Sequence, residues 1–191
     1  MFQRMEMLKN TPEPVIDYPQ YILSKHLYGV DIDPEAAEIA AVNLTMTAFA
    51  DSRKQKLPLI LDENIKVGNS LISGTEEELK KYFGDAWRDK RPFNWEDEFP
   101  EIMQRGGFDV VVGNPPYIRV DELPEKDKVF WKGRFVTAVG KYDIYYLFFQ
   151  IALKLIHDHG VVSFITPNRY CTNTTGEQLR RLILSNSTEI S

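Results

Sequence analysis

Short apolar stretches alternate with helical patterns along most of the chain. Four stretches have the length and composition of short β-strands: residues 25–33, 65–67, 109–112 and 160–166. Three segments carry apolar residues at helical spacing: 33–50, 142–160 and 174–186. Apolar strands that alternate with helices are typical of a mostly parallel sheet. We therefore predict an α/β fold with helices on both faces of the sheet.

The helix predicted over residues 33–50 has a clear N-terminal signal. Asp33 suits the N-cap, Pro34 the first helical position and Glu35 the first turn. This signal places a turn directly after the first strand.

The segment 142–160 is apolar on nearly all sides, so we expect a largely buried helix. Tyr145 and Phe148 on this helix are expected to be core residues first and ligand-lining residues second. His157 and His159 lie at its predicted C-terminus, where the helix dipole accounts for them.

The chain divides into a connector, a domain and an insert within that domain. Residues 1–24 have the pattern of a helix end followed by a proline-rich connector, and residues 25–191 that of the folded domain. Residues 73–107 form a polar insert, which we expect to be mostly a solvated helix and loop. Three side chains are suited to pin the end of the insert to the core: Trp95, Phe99 and Ile102.

Composition and charge narrow the function classes. With 191 residues, 43% of them hydrophobic and 27% charged, the chain is long enough for one domain with a sizeable core. A net charge of −5 excludes binding to nucleic acid through overall charge. Phosphate contacts would have to come from a local patch or from protein outside this chain.

The cysteine, hydropathy and histidine patterns argue against disulfide-stabilised, membrane-spanning and metal-binding proteins. The single Cys171 excludes an internal disulfide and fits a reducing cytoplasmic location. Apolar runs stay well short of the roughly 18 residues of a membrane span, and no signal-peptide pattern begins the chain. We therefore expect no contact with a membrane. No His, Cys or carboxylate pair has metal-ligand spacing, so we also expect no metal site.

Polar clusters follow the predicted strands at the point where each strand ends: Asp31, Asn69-Ser70, Asn114–Tyr117 and Thr166–Asn168. In parallel sheets, ligands bind in the crevice beyond the carboxyl ends of the strands. The clustering is therefore the main functional signal in the sequence.

The NPPY motif, formed by Asn114, Pro115, Pro116 and Tyr117, stops the apolar strand 109–112. The prolines stiffen the loop, so a carboxamide oxygen and a backbone carbonyl are held ready to accept two hydrogen bonds from one amino group. The tyrosine offers a flat face for stacking a planar base, worth roughly 1–3 kcal/mol. The alternative is an ordinary exit from strand to loop, which we consider less compatible with this composition.

Asp31, Asn69 and Ser70 have the positions of nucleotide-binding residues. A carboxylate after the first strand can accept both hydroxyls of a ribose, and the alternative for Asp31 is helix capping. Asn69 and Ser70 can present an acceptor and a backbone N–H to an adenine edge, and the alternative is a plain Gly-Asn-Ser turn.

Five segments together resemble the N6-adenine DNA methyltransferase domain of type IIG restriction–modification enzymes: YGVDIDPEA, VGNSL, FPEIMQRGGFDVVVGNPPYIR, GKYDIYYLFFQIAL and GVVSFITPNRY. The resemblance runs from about residue 25 to the C-terminus. It implies a Rossmann-like fold, S-adenosylmethionine as methyl donor, and double-stranded DNA as the partner, bound through a recognition domain of the parent enzyme. The target adenine would be flipped out of the duplex.

The same resemblance implies roles for the residues at the strand ends. It assigns the NPPY motif (Asn114, Pro115, Pro116 and Tyr117) to binding and stacking of the target adenine. It assigns five residues to the cofactor: Asp31, Ile32, Asn69, Ser70 and Phe148. An aspartate is commoner in that family at the position of Asn69.

The sequence departs from the family pattern before Tyr28, where no Gly-rich turn for the methionine half of the cofactor is present. The first strand of the usual sheet, which precedes that turn, and the recognition domain expected after the catalytic domain are also missing. We therefore expect residues 25–191 to be a partial catalytic domain with an incomplete sheet, lacking N-terminal and C-terminal parts of a parent enzyme.

Two alternatives remain at this point. A glutamine methyltransferase of release factors also uses NPPY, although the long insert and the ITPNRY segment argue against it. A non-catalytic module that binds a partner is the second alternative.

We predict that the isolated 191-residue chain binds S-adenosylmethionine too weakly for routine calorimetry and does not methylate DNA. Without the glycine turn, the ligand loses several charge-assisted hydrogen bonds of roughly 1.5–3 kcal/mol each. Such a loss takes a micromolar ligand to the millimolar range or beyond. Isothermal titration of the purified chain measures this. Micromolar binding would instead mean that residues 1–24 or a second copy complete the pocket.

Overall fold

The computed structural model of the protein describes residues 18–50 and 59–187, which form two compact units with their boundary between Asn69 and Ser70. Residues 1–17 of the predicted connector lie outside the described residues, and residues 18–25 form a helix. Within the described ranges, no helix is both long enough and apolar enough to cross a bilayer.

The first unit contains two helices and two short parallel strands: α1 (Tyr18–Lys25), β1 (Gly29–Asp31), α2 (Pro34–Ala50) and β2 (Ile65–Val67). Gly29 pairs with Ile65 and Asp31 with Val67, so both strands end at the same edge. Its core is small and aliphatic: Leu23, Ala37, Ala41, Ala48, Ile60 and Ile65.

Helix α2 begins where the sequence predicts. Pro34 is its first residue, and the carboxylate Oδ1 of Asp33 accepts a hydrogen bond from the Glu35 N–H at 3.0 Å. This side-chain acceptor satisfies one of the backbone donors that a helix start leaves free. The predicted N-cap is therefore confirmed.

The second unit holds the remaining elements: α3 (Glu76–Phe83), a 3₁₀ helix (Gly84–Lys90), α4 (Trp95–Glu98), α5 (Pro100–Gln104), β3 (Phe108–Gly113), a 3₁₀ turn (Val120–Glu122), α6 (Glu125–Trp131), α7 (Tyr145–Leu155), β4 (Ile156–Phe164), α8 (Arg169–Thr172), a 3₁₀ turn (Thr174–Gly176) and α9 (Glu177–Asn186). The predicted strand over 109–112 and the predicted C-terminal helix are confirmed.

Strands β3 and β4 pair in parallel, with Val110 opposite Val161 and Gly113 opposite Phe164. Parallel pairing is thus confirmed, and the described strands form two separate two-stranded sheets. That the two pairs are parts of one incomplete sheet stays a prediction. Helix α7 covers one face of the β3–β4 sheet, where Phe149 and Phe164 rings lie 5.0 Å apart. Successive side chains of a strand point to opposite faces. Within the described part of the second unit, only one of these faces is covered by a helix and the side chains of the other are exposed, so helices on both faces stay a prediction.

The predicted helix 142–160 is too long, because α7 ends at Leu155 and the next residues belong to β4. His157 and His159 therefore lie in a strand, and the explanation by a helix dipole is wrong. Ile156 already pairs with Phe108, and the ladder resumes only at Val161 after an irregularity. The backbone pairing with β3 overrides the local helical pattern.

The insert 73–107 contributes more to the core than the sequence predicts. Phe99 is buried as expected, while Trp95 and Ile102 are only partly buried. Three further side chains of the insert, whose burial is not predicted from the sequence, are buried as well: Leu79, Phe83 and Phe93. The Phe83 ring lies 5.2 Å from that of Phe130, so α3 packs on α6 and is not a solvated helix.

Substitution of Gly107 tests how closely the end of the insert approaches Leu155, the last residue of α7. Gly107 has a φ of 116°, and a Cβ there would lie 2.3 Å from the Leu155 carbonyl oxygen. Gly107→Ala should destabilise by about 1–2 kcal/mol through left-handed strain and about 1–3 kcal/mol more through overpacking. Urea unfolding followed by circular dichroism measures the difference.

Gly84→Ala is the matched control, because Gly84 has φ 69° and a Cβ at this position would meet nothing within 4 Å. Gly84→Ala should therefore lower the free energy of unfolding only by the contribution of left-handed strain. Equal destabilisation by the two substitutions would contradict the close approach of Gly107 to α7.

Candidate functional site

The carboxyl ends of β3 and β4 lie side by side. Gly113 pairs with Phe164, and the ladder continues one step further because the Ile165 N–H donates to the Gly113 carbonyl oxygen at 3.1 Å. Asn114 and Ile165 therefore leave the sheet at the same level. This arrangement brings two of the polar clusters predicted from the sequence next to each other.

The NPPY loop is fixed at both ends. Pro115 is buried, whereas Asn114, Pro116 and Tyr117 are exposed. Beyond the motif, the Ile118 carbonyl accepts a hydrogen bond from the Ile144 N–H at 2.8 Å. The loop is thus held between the end of β3 and the start of α7.

Tyr117 links the two strand ends through its hydroxyl. The phenol oxygen lies 2.6 Å from Asn114 Oδ1 and 2.6 Å from the Ile165 carbonyl oxygen. A phenol has one proton, so it donates to one of these oxygens at a time. Two acceptors therefore converge on a position that a single O–H satisfies only by half.

The ring of Tyr117 is partly accessible and contacts a buried ring. Its side chain is about half exposed, and the Tyr145 ring meets it edge-on, with centroids 6.2 Å apart and planes at 89°. Tyr145 is fully buried, and this burial raises the pKa of its phenol well above the ordinary value. The Tyr145 hydroxyl donates to the Pro167 carbonyl oxygen at 3.3 Å.

In the first unit, Asp31 lies at the carboxyl end of β1 and is exposed. Its Oδ1 accepts a hydrogen bond from the Asp33 N–H at 2.8 Å, and its carbonyl accepts one from the Gly68 N–H at 2.8 Å. Among residues 18–50 and 59–187, Oδ2 of Asp31 has no hydrogen-bond partner. Ile32 beside it is 52% exposed. The carboxylate thus serves a local turn with one oxygen and leaves the other accessible.

The remaining predicted cofactor residues lie at three places. Asn69 is two residues beyond β2, at the edge where Asp31 ends β1. The Ser70 carbonyl accepts a hydrogen bond from the Trp95 Nε1–H at 3.5 Å. Phe148 is partly buried on α7 and packs against the core of the second unit. Asp31 and Asn69 thus share one unit, and the NPPY motif and Phe148 share the other. Their roles stay predictions.

Two features near the NPPY motif are not predicted from the sequence: the Ile165 carbonyl as an acceptor and the contact between Tyr145 and Tyr117. The Ile165 carbonyl carries no side-chain signal, although the proline two residues later marks the end of its strand. Tyr145 is predicted as a core residue first and a ligand-lining residue second, and its burial agrees with the first of these. Its contact with Tyr117 depends on a long-range packing arrangement that periodicity does not report.

Comparison with known proteins identifies relatives across most of the chain. Residues 25–191 match the family model described as Eco57I restriction-modification methylase. The type II restriction enzyme and methyltransferase RM.Eco57I of Escherichia coli is 28% identical over 174 residues, which cover 86% of this chain and 16% of that protein.

Two further relatives extend the comparison. The type II methyltransferase M.PaeR7I of Pseudomonas aeruginosa is 36% identical over 155 residues, covering 81% of this chain and 24% of the relative. The adenine-specific methyltransferase PglX of Streptomyces coelicolor is 30% identical over 207 residues, covering 93% and 16% respectively. The chain thus spans between about a sixth and a quarter of the length of these relatives.

Proposed function

The chain belongs to the Eco57I restriction-modification methylase family, and on that premise we propose that it carries catalytic residues of a DNA adenine-N6 methyltransferase. The methyl donor would be S-adenosylmethionine and the acceptor the exocyclic amino group of an adenine flipped out of double-stranded DNA. The complete protein would act in a restriction–modification system.

The observation that carries this proposal is the convergence of two acceptor oxygens on one donor position. Asn114 Oδ1 and the Ile165 carbonyl oxygen both lie 2.6 Å from the Tyr117 hydroxyl oxygen. An amino group has two N–H donors, so it matches a pair of acceptors better than a phenol does. A carboxamide or carbonyl oxygen has two lone pairs, so both oxygens can accept from the amino group while the Tyr117 hydroxyl keeps its one donated bond.

Asn114 acts as an acceptor in this proposal. The lone pair of an amino group on an aromatic ring is delocalised into the ring, which makes the nitrogen a poor nucleophile. A carboxamide oxygen placed off the ring plane pulls the N–H towards itself and favours a tetrahedral nitrogen with a localised lone pair. The proline after Asn114 is buried, so this acceptor stands on a stiff support that needs little reorganisation.

Tyr117 supplies the stacking surface. The Tyr117 side chain is about half exposed, and its ring is in a T-shaped contact with the buried Tyr145 ring. A flipped base that stacks on such a face gains roughly 1–3 kcal/mol, which offsets part of the unstacking energy. The role assigned to Tyr117 is thus capture of the base rather than chemistry.

The residues of the first unit fit the nucleoside half of S-adenosylmethionine. The accessible Oδ2 of Asp31 is an acceptor suited to ribose hydroxyls, and the exposed Ile32 offers an apolar contact to a purine. Asn69 is proposed for the adenine edge. For Ser70 and Phe148, which belong to the second unit, we propose the roles that the resemblance implies, the adenine edge for Ser70 and packing near the cofactor for Phe148. When bound, the cofactor supplies an electrophilic methyl group.

The relatives support DNA methylation over methylation of a release factor. The names of the three relatives refer to type II restriction or modification enzymes or to an adenine-specific methyltransferase. Because the chain carries a net charge of −5, we propose that most DNA phosphate contacts come from protein outside residues 1–191.

Methyl transfer by the complete protein tests the proposed function. We would incubate it with methyl-labelled S-adenosylmethionine and either plasmid DNA or a release factor, and identify the modified base or residue by mass spectrometry. N6-methyladenine in the plasmid is the expected product. Label in the release factor alone would support the glutamine alternative, and no label in either would support a non-catalytic module.

We predict that Asn114→Ala leaves cofactor binding nearly intact and lowers the single-turnover methylation rate by about 10²–10³. The reason is the loss of a preorganised acceptor that acts on the reacting nitrogen. Asn173→Ala is the control, because Asn173 is an exposed asparagine outside the site. A rate for Asn114→Ala within a few-fold of wild type would reject its role.

Substitutions of Tyr117 separate its face from its hydroxyl. Tyr117→Phe and Tyr117→Trp should retain much of the activity because both keep an aromatic face, whereas Tyr117→Ala should weaken capture of the flipped base. A fluorescent base analogue at the target position measures capture directly. Equal behaviour of the Phe and Ala variants would show that the hydroxyl, with its bonds to Asn114 and Ile165, is the important group.

A further inference from the structure

Tyr145 contacts the candidate site from the core. It is the first residue of α7, and its side chain has no exposed surface. Its ring lies edge-on to the Tyr117 ring at 6.2 Å and 89°, and its hydroxyl donates to the Pro167 carbonyl oxygen at 3.3 Å. Tyr145 therefore reaches both the NPPY loop and the segment that follows β4.

Two phenols bind alternate carbonyl groups of that segment. The Tyr117 hydroxyl lies 2.6 Å from the Ile165 carbonyl oxygen, and the Tyr145 hydroxyl lies 3.3 Å from that of Pro167. The ring of one phenol is also in contact with the ring of the other. The Tyr117 ring is thus in contact with the Tyr145 ring, and the Tyr117 hydroxyl with the Ile165 carbonyl.

Tyr145 is itself held firmly. The Tyr146 ring lies 4.7 Å away at 81°, and the Tyr170 ring lies 6.4 Å away at 70°. Burial raises the pKa of the Tyr145 phenol, so it stays protonated and remains a donor to Pro167 at any working pH. A fixed residue of this kind can limit the motion of a more exposed neighbour.

Tyr117 is 49% exposed, so without such a contact its side chain would lose rotational freedom whenever it captured a base. A ring that is ordered beforehand avoids that entropic cost. Resting on the proposed function, we propose that Tyr145 is a positioning residue of the target-base site, which fixes the Tyr117 ring in the orientation that stacks on the flipped adenine.

The test uses the complete protein and a duplex that the wild type is shown to methylate. The target adenine is replaced by 2-aminopurine, and the duplex is titrated in the presence of S-adenosylhomocysteine while fluorescence reports base capture. Tyr145→Leu should weaken capture by about three- to tenfold, the range of one aromatic pair. Tyr145→Phe keeps the ring and loses only the bond to Pro167, so it should weaken capture by only about twofold.

A double-mutant cycle separates positioning from general destabilisation. In a Tyr117→Ala background, adding Tyr145→Leu should weaken base capture no further than Tyr117→Ala alone, since no ring remains to be positioned. Tyr142→Leu is the matched control, because Tyr142 is another buried tyrosine of the same core and its ring makes no contact with Tyr117 among the described aromatic pairs. Its capture should match the wild type.

Equal losses from Tyr145→Leu in both backgrounds, no loss in either, or an equal loss from Tyr142→Leu would overturn the positioning role. If Tyr145→Leu shows no cooperative melt, the Tyr145→Phe variant decides the question. A roughly twofold loss of base capture that disappears in the Tyr117→Ala background supports the positioning role. Unchanged capture by Tyr145→Phe overturns it. Failure of the wild type to methylate any duplex would overturn the proposed function itself, and with it this inference.

Discussion

A single backbone hydrogen bond, from the Ile165 N–H to the Gly113 carbonyl at 3.1 Å, extends the pairing of β3 and β4 one step beyond the strands. Because the strands are parallel, this bond fixes the exit points of two different loops at one level. Asn114 then faces the Ile165 carbonyl, and the Tyr117 hydroxyl spans the two. A shift of one residue in this register would turn the side chains to the other face and separate the two acceptors.

Features that depend on local sequence are predictable. The start of α2 follows from Asp33 and Pro34, whose capping and φ preferences act within one turn. The position of the NPPY motif at a strand end follows from the missing N–H groups of proline. The candidate cluster at the ends of β3 and β4 is recognisable because polar residues that interrupt apolar strands stand out in a sequence.

Features that depend on distant partners are not predictable in this way. The acceptor at Ile165 is a main-chain oxygen, which every residue possesses. Helix α7 ends early because Ile156 pairs with Phe108, a residue nearly fifty positions away. Likewise, Leu79 and Phe83 lie in a charged segment that looks solvated, yet both are buried because α3 packs on α6. Tertiary contact decides such cases over local propensity.

The exposed apolar side chains on one face of the β3–β4 sheet have a consequence for the behaviour of the chain in solution. Val110, Val112, Val161 and Ile165 on this face are 56–73% exposed, and among the described strands β3 and β4 pair only with each other. Apolar side chains on adjacent strands with unpaired edges favour association between copies. A net charge of −5 opposes it only weakly, and at 0.1 M salt this repulsion is screened beyond about 10 Å. Among the described residues, this face is therefore an apolar surface that favours self-association, and added salt weakens the charge repulsion that opposes it.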